Sequence, residues 1–167
     1  MMTGLLQKVA VSGAALILLF LISVYVHPFG PVKHQHSARP LLSGASIDSK
    51  ARNIISRSCQ NCHSEATEWP WYSYIAPVSW LVESDVSHAR SHLNFAHWEE
   101  YSSDQRFTFL SEISTMVSAG SMPPSRYLLM HPEATLSNAD ISEIAQWVRI
   151  ETKSLRSTLQ PEPARHR

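Results

Sequence analysis

Cys59-Gln60-Asn61-Cys62-His63 contains both cysteines of a 167-residue chain. Two intervening residues make one helical turn, so both thiols come to the same side of the backbone and the imidazole follows directly. A disulfide across so small a loop would contribute little through chain entropy. Thioether attachment to a porphyrin needs this arrangement. Two sulfurs reach two vinyl groups on one edge, and a histidine rises to the iron from that side; C-x-x-C-H is the spacing of c-type haem attachment. Zinc asks for four ligands, with no second cysteine pair here, and His88, His92 and His97 offer only H-x3-H-x4-H. A thioredoxin-like dithiol belongs beside a βαβ unit, which the chain lacks. The expected cofactor is therefore one covalently attached haem c, held by Cys59 and Cys62, with His63 as proximal iron ligand.

A low-spin haem needs a second axial ligand. The chain offers Met116, Met122, Met130, His88, His92, His97 and His131. Met122 is the best placed. It lies in Ala119-Gly120-Ser121-Met122-Pro123-Pro124, a loop after a helix, where two prolines stiffen the backbone just beyond it. It is also far enough along the chain from His63 to fold over the opposite haem face. Met116 falls on an apolar helical stripe, where core packing is the default. Met130, beside His131-Pro132, is the second choice. The histidines at 88, 92 and 97 read as surface or hydrogen-bonding residues.

Outward from the motif, the chain divides by composition. Residues 9–26, VAVSGAALILLFLISVYV, carry no charge. At about 1.5 Å per residue they make a helix of roughly 27 Å, close to the hydrocarbon thickness of a bilayer. Tyr25 suits the headgroup level, and His27-Pro28 and Gly30-Pro31 stop the helix. A cleaved signal peptide is the competing reading, but the apolar run exceeds a typical signal core and no A-x-A-like site follows. The expected order is a cytoplasmic stub (1–8), a transmembrane anchor (9–26), a Pro/Ser/Gly linker (27–45), a haem-binding domain (46–155) and a flexible tail (156–167). Lys8 before the span is nearly balanced by Lys33 and Arg39 after it, so positive charge does not set the orientation. Covalent haem attachment in bacteria takes place outside the cytoplasmic membrane. The motif therefore places the domain on that side of the inner membrane.

The domain reads as all-α. Apolar residues at helical spacing predict four helices: Ile47 to Cys59 with Ser46 as N-cap, Pro77 to Leu93, Ser103 to Ala119 stopped by Gly120, and one starting after Ser137 with Asp140 in its first turn. Ile141, Ile144, Ala145 and Val148 should form the buried face of the last. From Arg156 onward the chain should fray. With 14 basic and 14 acidic residues, there is no footprint for nucleic acid.

Several longer words carry a family resemblance. They are Cys59-Gln60-Asn61-Cys62-His63-Ser64, Trp69-Pro70-Trp71-Tyr72-Ser73, Ile75-Ala76-Pro77-Val78-Ser79-Trp80-Leu81, Leu93-Asn94-Phe95 with Trp98, and Met122-Pro123-Pro124 with Tyr127 and His131-Pro132. Across about residues 45 to 150 the chain resembles the bacterial haem-binding domain family, small cytochrome c-like proteins often carrying an N-terminal anchor. Before Arg90, where the family often has Gly, this chain has Ala89. The resemblance implies haem binding and a cytochrome c-like fold around one haem. On that picture Trp69, Trp71, Tyr72 and Trp80 pack as core and shield the haem edge. Arg90, Arg126 and Tyr127 are candidates for the propionates or for plain surface roles. The expected function is one-electron transfer with unidentified redox protein partners at the membrane. The alternative is a haem enzyme of peroxidase type or a ligand sensor. Either would need an open sixth position and a distal acid–base group such as His92 or His97.

Overall fold

The computed structural model describes residues 2–28 and 39–159. Much of the expected linker and residues 160–167 of the expected tail lie outside the described residues. Among the described residues seven α-helices follow in order: α1 (Met2–Tyr25), α2 (Ser49–Ser58), α3 (Gln60–His63), α4 (Val78–His92), α5 (Ser103–Ser118), α6 (Ser125–Leu128) and α7 (Asn138–Leu159). Three 3-10 turns, Trp71–Tyr74, Phe95–Glu100 and Pro132–Ala134, complete the regular structure, and no strand occurs among the described residues. The all-α expectation holds.

The four helices read from periodicity are α2, α4, α5 and α7, with ends shifted by a residue or two. Asp48, not Ser46, caps α2: its carboxylate accepts from the backbone N–H of Lys50 and Ala51. A carboxylate there also complements the helix dipole. The start of α5 carries a capping box that the sequence reading passed over, with Ser102 and Gln105 exchanging side-chain and backbone bonds. Ser137 and Asp140 exchange the equivalent pair at the start of α7. That helix runs past residue 155 to Leu159. Its buried stripe is Ile144, Trp147, Glu151 and Leu155, with Ile141 and Val148 only half-buried.

The chain forms two compact units. One comprises residues 1–34 and 68–88, the other 35–67 and 89–167. In the second, α2 and α5 pack on α7 around Trp98 and Trp147, both fully buried. Leu42 is fully buried in the same cluster, its N–H donated to the Phe95 carbonyl at 3.0 Å, so this core begins before residue 46. Met116, expected in the core, is 45% exposed; the inward positions of α5 are Phe109, Leu110 and Val117.

Glu151 is 1% exposed and bridges two donors: Trp98 Nε1 at 3.1 Å and the backbone N–H of Ser46 at 2.6 Å. The carboxyl thus ties the start of the domain to its last helix. Replacing it with Leu keeps the volume but orphans both donors, at about 1–3 kcal/mol each. Glu151→Leu should lower the urea midpoint accordingly, and Glu151→Gln, which keeps one acceptor, should lower it less. A Leu variant as stable as the parent would show that these bonds add nothing net.

In the first unit, α1 presents Gln7–Tyr25 as 19 residues apolar and long enough to cross a membrane, with none of that stretch buried. Trp80 Nε1 donates to the Val26 carbonyl at the end of α1, at 2.6 Å. His27 Nδ1 meets Glu83 Oε1 at the same distance.

Candidate functional site

Cys59 breaks the helix between α2 and α3 with backbone angles of −127° and −29°. Its carbonyl then accepts from the N–H of Cys62 at 3.3 Å and of His63 at 3.0 Å. This closed turn puts the two thiols three residues apart on one helical face, with the imidazole beside them. Neither cysteine is in a disulfide, both are half-buried, and Cys59 packs against the hydrophobic cluster. Burial, then the neighbouring Cys62, pushes the Cys59 thiol up to about 12. A redox dithiol needs a thiolate stabilised near neutral pH, so the site opposes that chemistry. No group of three or more metal-binding side chains of the zinc kind occurs among the described residues.

The imidazole of His63 is oriented by a residue remote in sequence. Its Nδ1 lies 3.0 Å from the Leu93 carbonyl, where α4 has just ended. A carbonyl only accepts, so Nδ1 carries the proton and Nε2 keeps its lone pair. Burial holds the His63 pKa below the usual histidine value, which keeps the ring neutral and able to bind a metal. Phe95 flanks it at 5.8 Å between ring centroids. Two thiols and a fixed, neutral imidazole with Nε2 available form a donor set that fits a c-type haem.

The chain just after His63 is braced. Arg90 Nε donates to the Ser64 carbonyl at 2.8 Å and Nη2 to Thr67 Oγ1 at 2.7 Å; Thr67 in turn donates to the Asn61 carbonyl at 2.6 Å. Arg90, a candidate propionate partner from sequence, thus braces the segment after the histidine through Ser64 and Thr67. Tyr127 has a comparable role: its hydroxyl accepts from Asn61 Nδ2 at 3.1 Å, and its ring stacks on His131 at 4.3 Å. Arg126 is exposed on α6.

Met122 is set by the end of α5. Gly120 adopts a left-handed φ of 65°, the N–H of Ser121 reaches back to the Met116 carbonyl, and that of Gly120 reaches Val117. This is a Schellman stop, and it needs Gly because a Cβ disfavours that φ. The same Met116 carbonyl also accepts from Met122 N–H at 3.3 Å, and the Met122 side chain is 38% exposed. The backbone carrying this sulfur is therefore fixed on both sides, by the Schellman turn and by the prolines.

Trp69, Trp71, Tyr72 and Trp80 belong to the other compact unit. There Trp71 stands 71% exposed, with Tyr72 edge-on to it at 5.8 Å. His92 and His97, the candidate distal groups, are both engaged by carboxylates. His92 Nε2 meets Glu112 at 2.7 Å, while His97 meets Glu65 at 2.6 Å and Glu100 at 2.8 Å. Arg39 also pairs with Glu100.

With acceptors at both ring nitrogens, His97 favours its protonated form, and Glu65 and then Glu100 raise its pKa above 6.5. Its stabilising effect is complete below the unfolded value and is lost as pH rises through the higher folded one. The urea midpoint should fall across that window in the parent. In His97→Gln the fall should be absent; an identical fall in the variant would assign it to another group.

The family model described as haem-binding domain matches residues 18–150. The chain is also similar to cytochrome c peroxidase Ccp of Escherichia coli (strain K12), at 25% identity over 120 residues, covering 70% of this chain. It spans 26% of that relative's length. No solved structure matches the chain.

Proposed function

This chain belongs to the haem-binding domain family, and on that premise we propose that it is a membrane-anchored, mono-haem c-type cytochrome. In this reading it passes single electrons on the outer side of the bacterial inner membrane. The observation that carries it is the His63 Nδ1 bond to Leu93, one residue beyond two thiols a helical turn apart. The bound haem supplies reversible one-electron chemistry at iron. The residues supply the rest. Cys59 and Cys62 would hold the porphyrin edge. Leu93 aims the imidazole and raises its basicity by accepting the hydrogen bond from its Nδ1–H. Arg90 and Thr67 keep the following loop from drifting. Met122 would offer the iron a soft, neutral sulfur. The apolar helix Gln7–Tyr25 supports the anchor.

The similarity to a peroxidase favours a second reading, in which the sixth position opens to substrate. Against it, His92 and His97 are already held by carboxylates. Optical spectra of the purified protein, with and without carbon monoxide, separate the two. A carrier shows a low-spin ferric spectrum with a weak methionine–iron charge-transfer band and a ferrous form that ignores carbon monoxide. High-spin ferric haem that binds the gas on reduction would support the enzyme or sensor instead.

A further inference from the structure

The unit made of residues 1–34 and 68–88 turns an apolar face to solvent. Trp71, Tyr74, Ile75, Val78 and Leu81 follow one another at steps of three residues or one, from the 3-10 turn into α4. All five are exposed. Soluble surfaces seldom gather so many large apolar side chains in one place, and such a patch marks an interaction site.

The same segment is fastened to the end of the apolar helix. Trp80 reaches the Val26 carbonyl, and His27 pairs with Glu83, whose side chain is only 2% exposed. Val26 and His27 are the first residues past α1. The two bonds therefore hold the first two turns of α4 at the level where a spanning helix leaves hydrocarbon. Tryptophan and tyrosine settle at that level because their rings are apolar with one polar edge. Between Glu68 and His88 there is no Lys or Arg, while Glu68, Glu83 and Asp85 are acidic. Attraction to anionic headgroups cannot be the driving force, which leaves apolar insertion.

We propose that the face formed by Trp71, Tyr74, Ile75, Val78 and Leu81 inserts shallowly into the headgroup–acyl boundary of the bilayer that α1 crosses. The chain then meets the membrane twice, by a span and by an apolar foot beside it. This rests on the anchor reading of α1. Because burial of apolar area drives the contact, it should be indifferent to salt and to anionic lipid.

The test uses the full-length holoprotein in nanodiscs of zwitterionic phosphatidylcholine. The photoreactive amino acid benzoylphenylalanine replaces Val78, Leu81, Leu18 or Ser118, one at a time, and lipid adducts are quantified by mass spectrometry. Leu18 lies inside α1; Ser118 is an exposed residue of α5. Adduct yields at 78 and 81 should be several-fold above that at 118, approach that at 18, and stay unchanged at high salt. Adding Ile75→Ser and Leu81→Ser should cut the yield at 78 several-fold and leave that at 18 alone. If 18 reacts with lipid while 78 and 81 match 118, or react with protein or haem, the foot is overturned and the anchor stands. If 18 gives no lipid adduct, the anchor reading fails and takes the foot with it.

Discussion

Cys59→Ala combined with Cys62→Ala should leave a polypeptide that gives up all its haem to acid–acetone, where the parent keeps essentially all of it. Each single substitution should retain haem through one bond and lose part of it. The effect is large because attachment is covalent. Without the sulfurs, only the His63 bond, the distal ligand and apolar contact remain, and acid protonates the imidazole. Haem that extracts freely from the parent protein would remove the c-type assignment while leaving membership of the haem-binding family intact.

Met122→Ala should open the sixth coordination position, convert the ferric haem from low to high spin, and admit carbon monoxide to the ferrous form. The Schellman turn at Gly120 and the prolines after Met122 hold the backbone, so this loop should not shift to bring another of its residues to the vacated place. Met122→His should keep the low-spin spectrum. It should lower the midpoint potential by on the order of 0.1–0.3 V, within the roughly 0.8 V that axial ligands cover, because imidazole stabilises ferric iron better than thioether sulfur does. Met130→Ala and His92→Ala should leave the spectrum alone. Met130 is 55% exposed, and His92 is held by Glu112. A native spectrum in Met122→Ala, with a change in either of the others, would move the ligand and weaken the carrier reading.

Much of this protein is local enough to be read along the chain. The motif Cys59–His63 needs only one helical turn to present its three donors, so spacing alone makes it a candidate for haem attachment. Helices α2, α4, α5 and α7 announce themselves by apolar period. The stop at Gly120 and the Ser137–Asp140 pair follow from residues one turn apart. The Ser102–Gln105 box was equally local and was simply passed over.

What the chain could not disclose were partners separated by tens of residues and recognised by nothing distinctive. His63 is aimed by the carbonyl of Leu93, a group every residue carries, so no side chain signals it. Arg90 meets Ser64 and Thr67 only once the fold brings them to it. Glu151 lies on the buried stripe of α7, where two distant donors make its burial tolerable. Trp80 gives its N–H to Val26, 54 residues away at the end of α1. Along the chain alone the helices and the candidate haem-attachment residues Cys59, Cys62 and His63 are legible, because periodicity and spacing act within one or two turns. Which polar groups meet inside the protein was decided only by tertiary packing, because burial lets a polar group persist only where another part of the chain supplies its hydrogen bond.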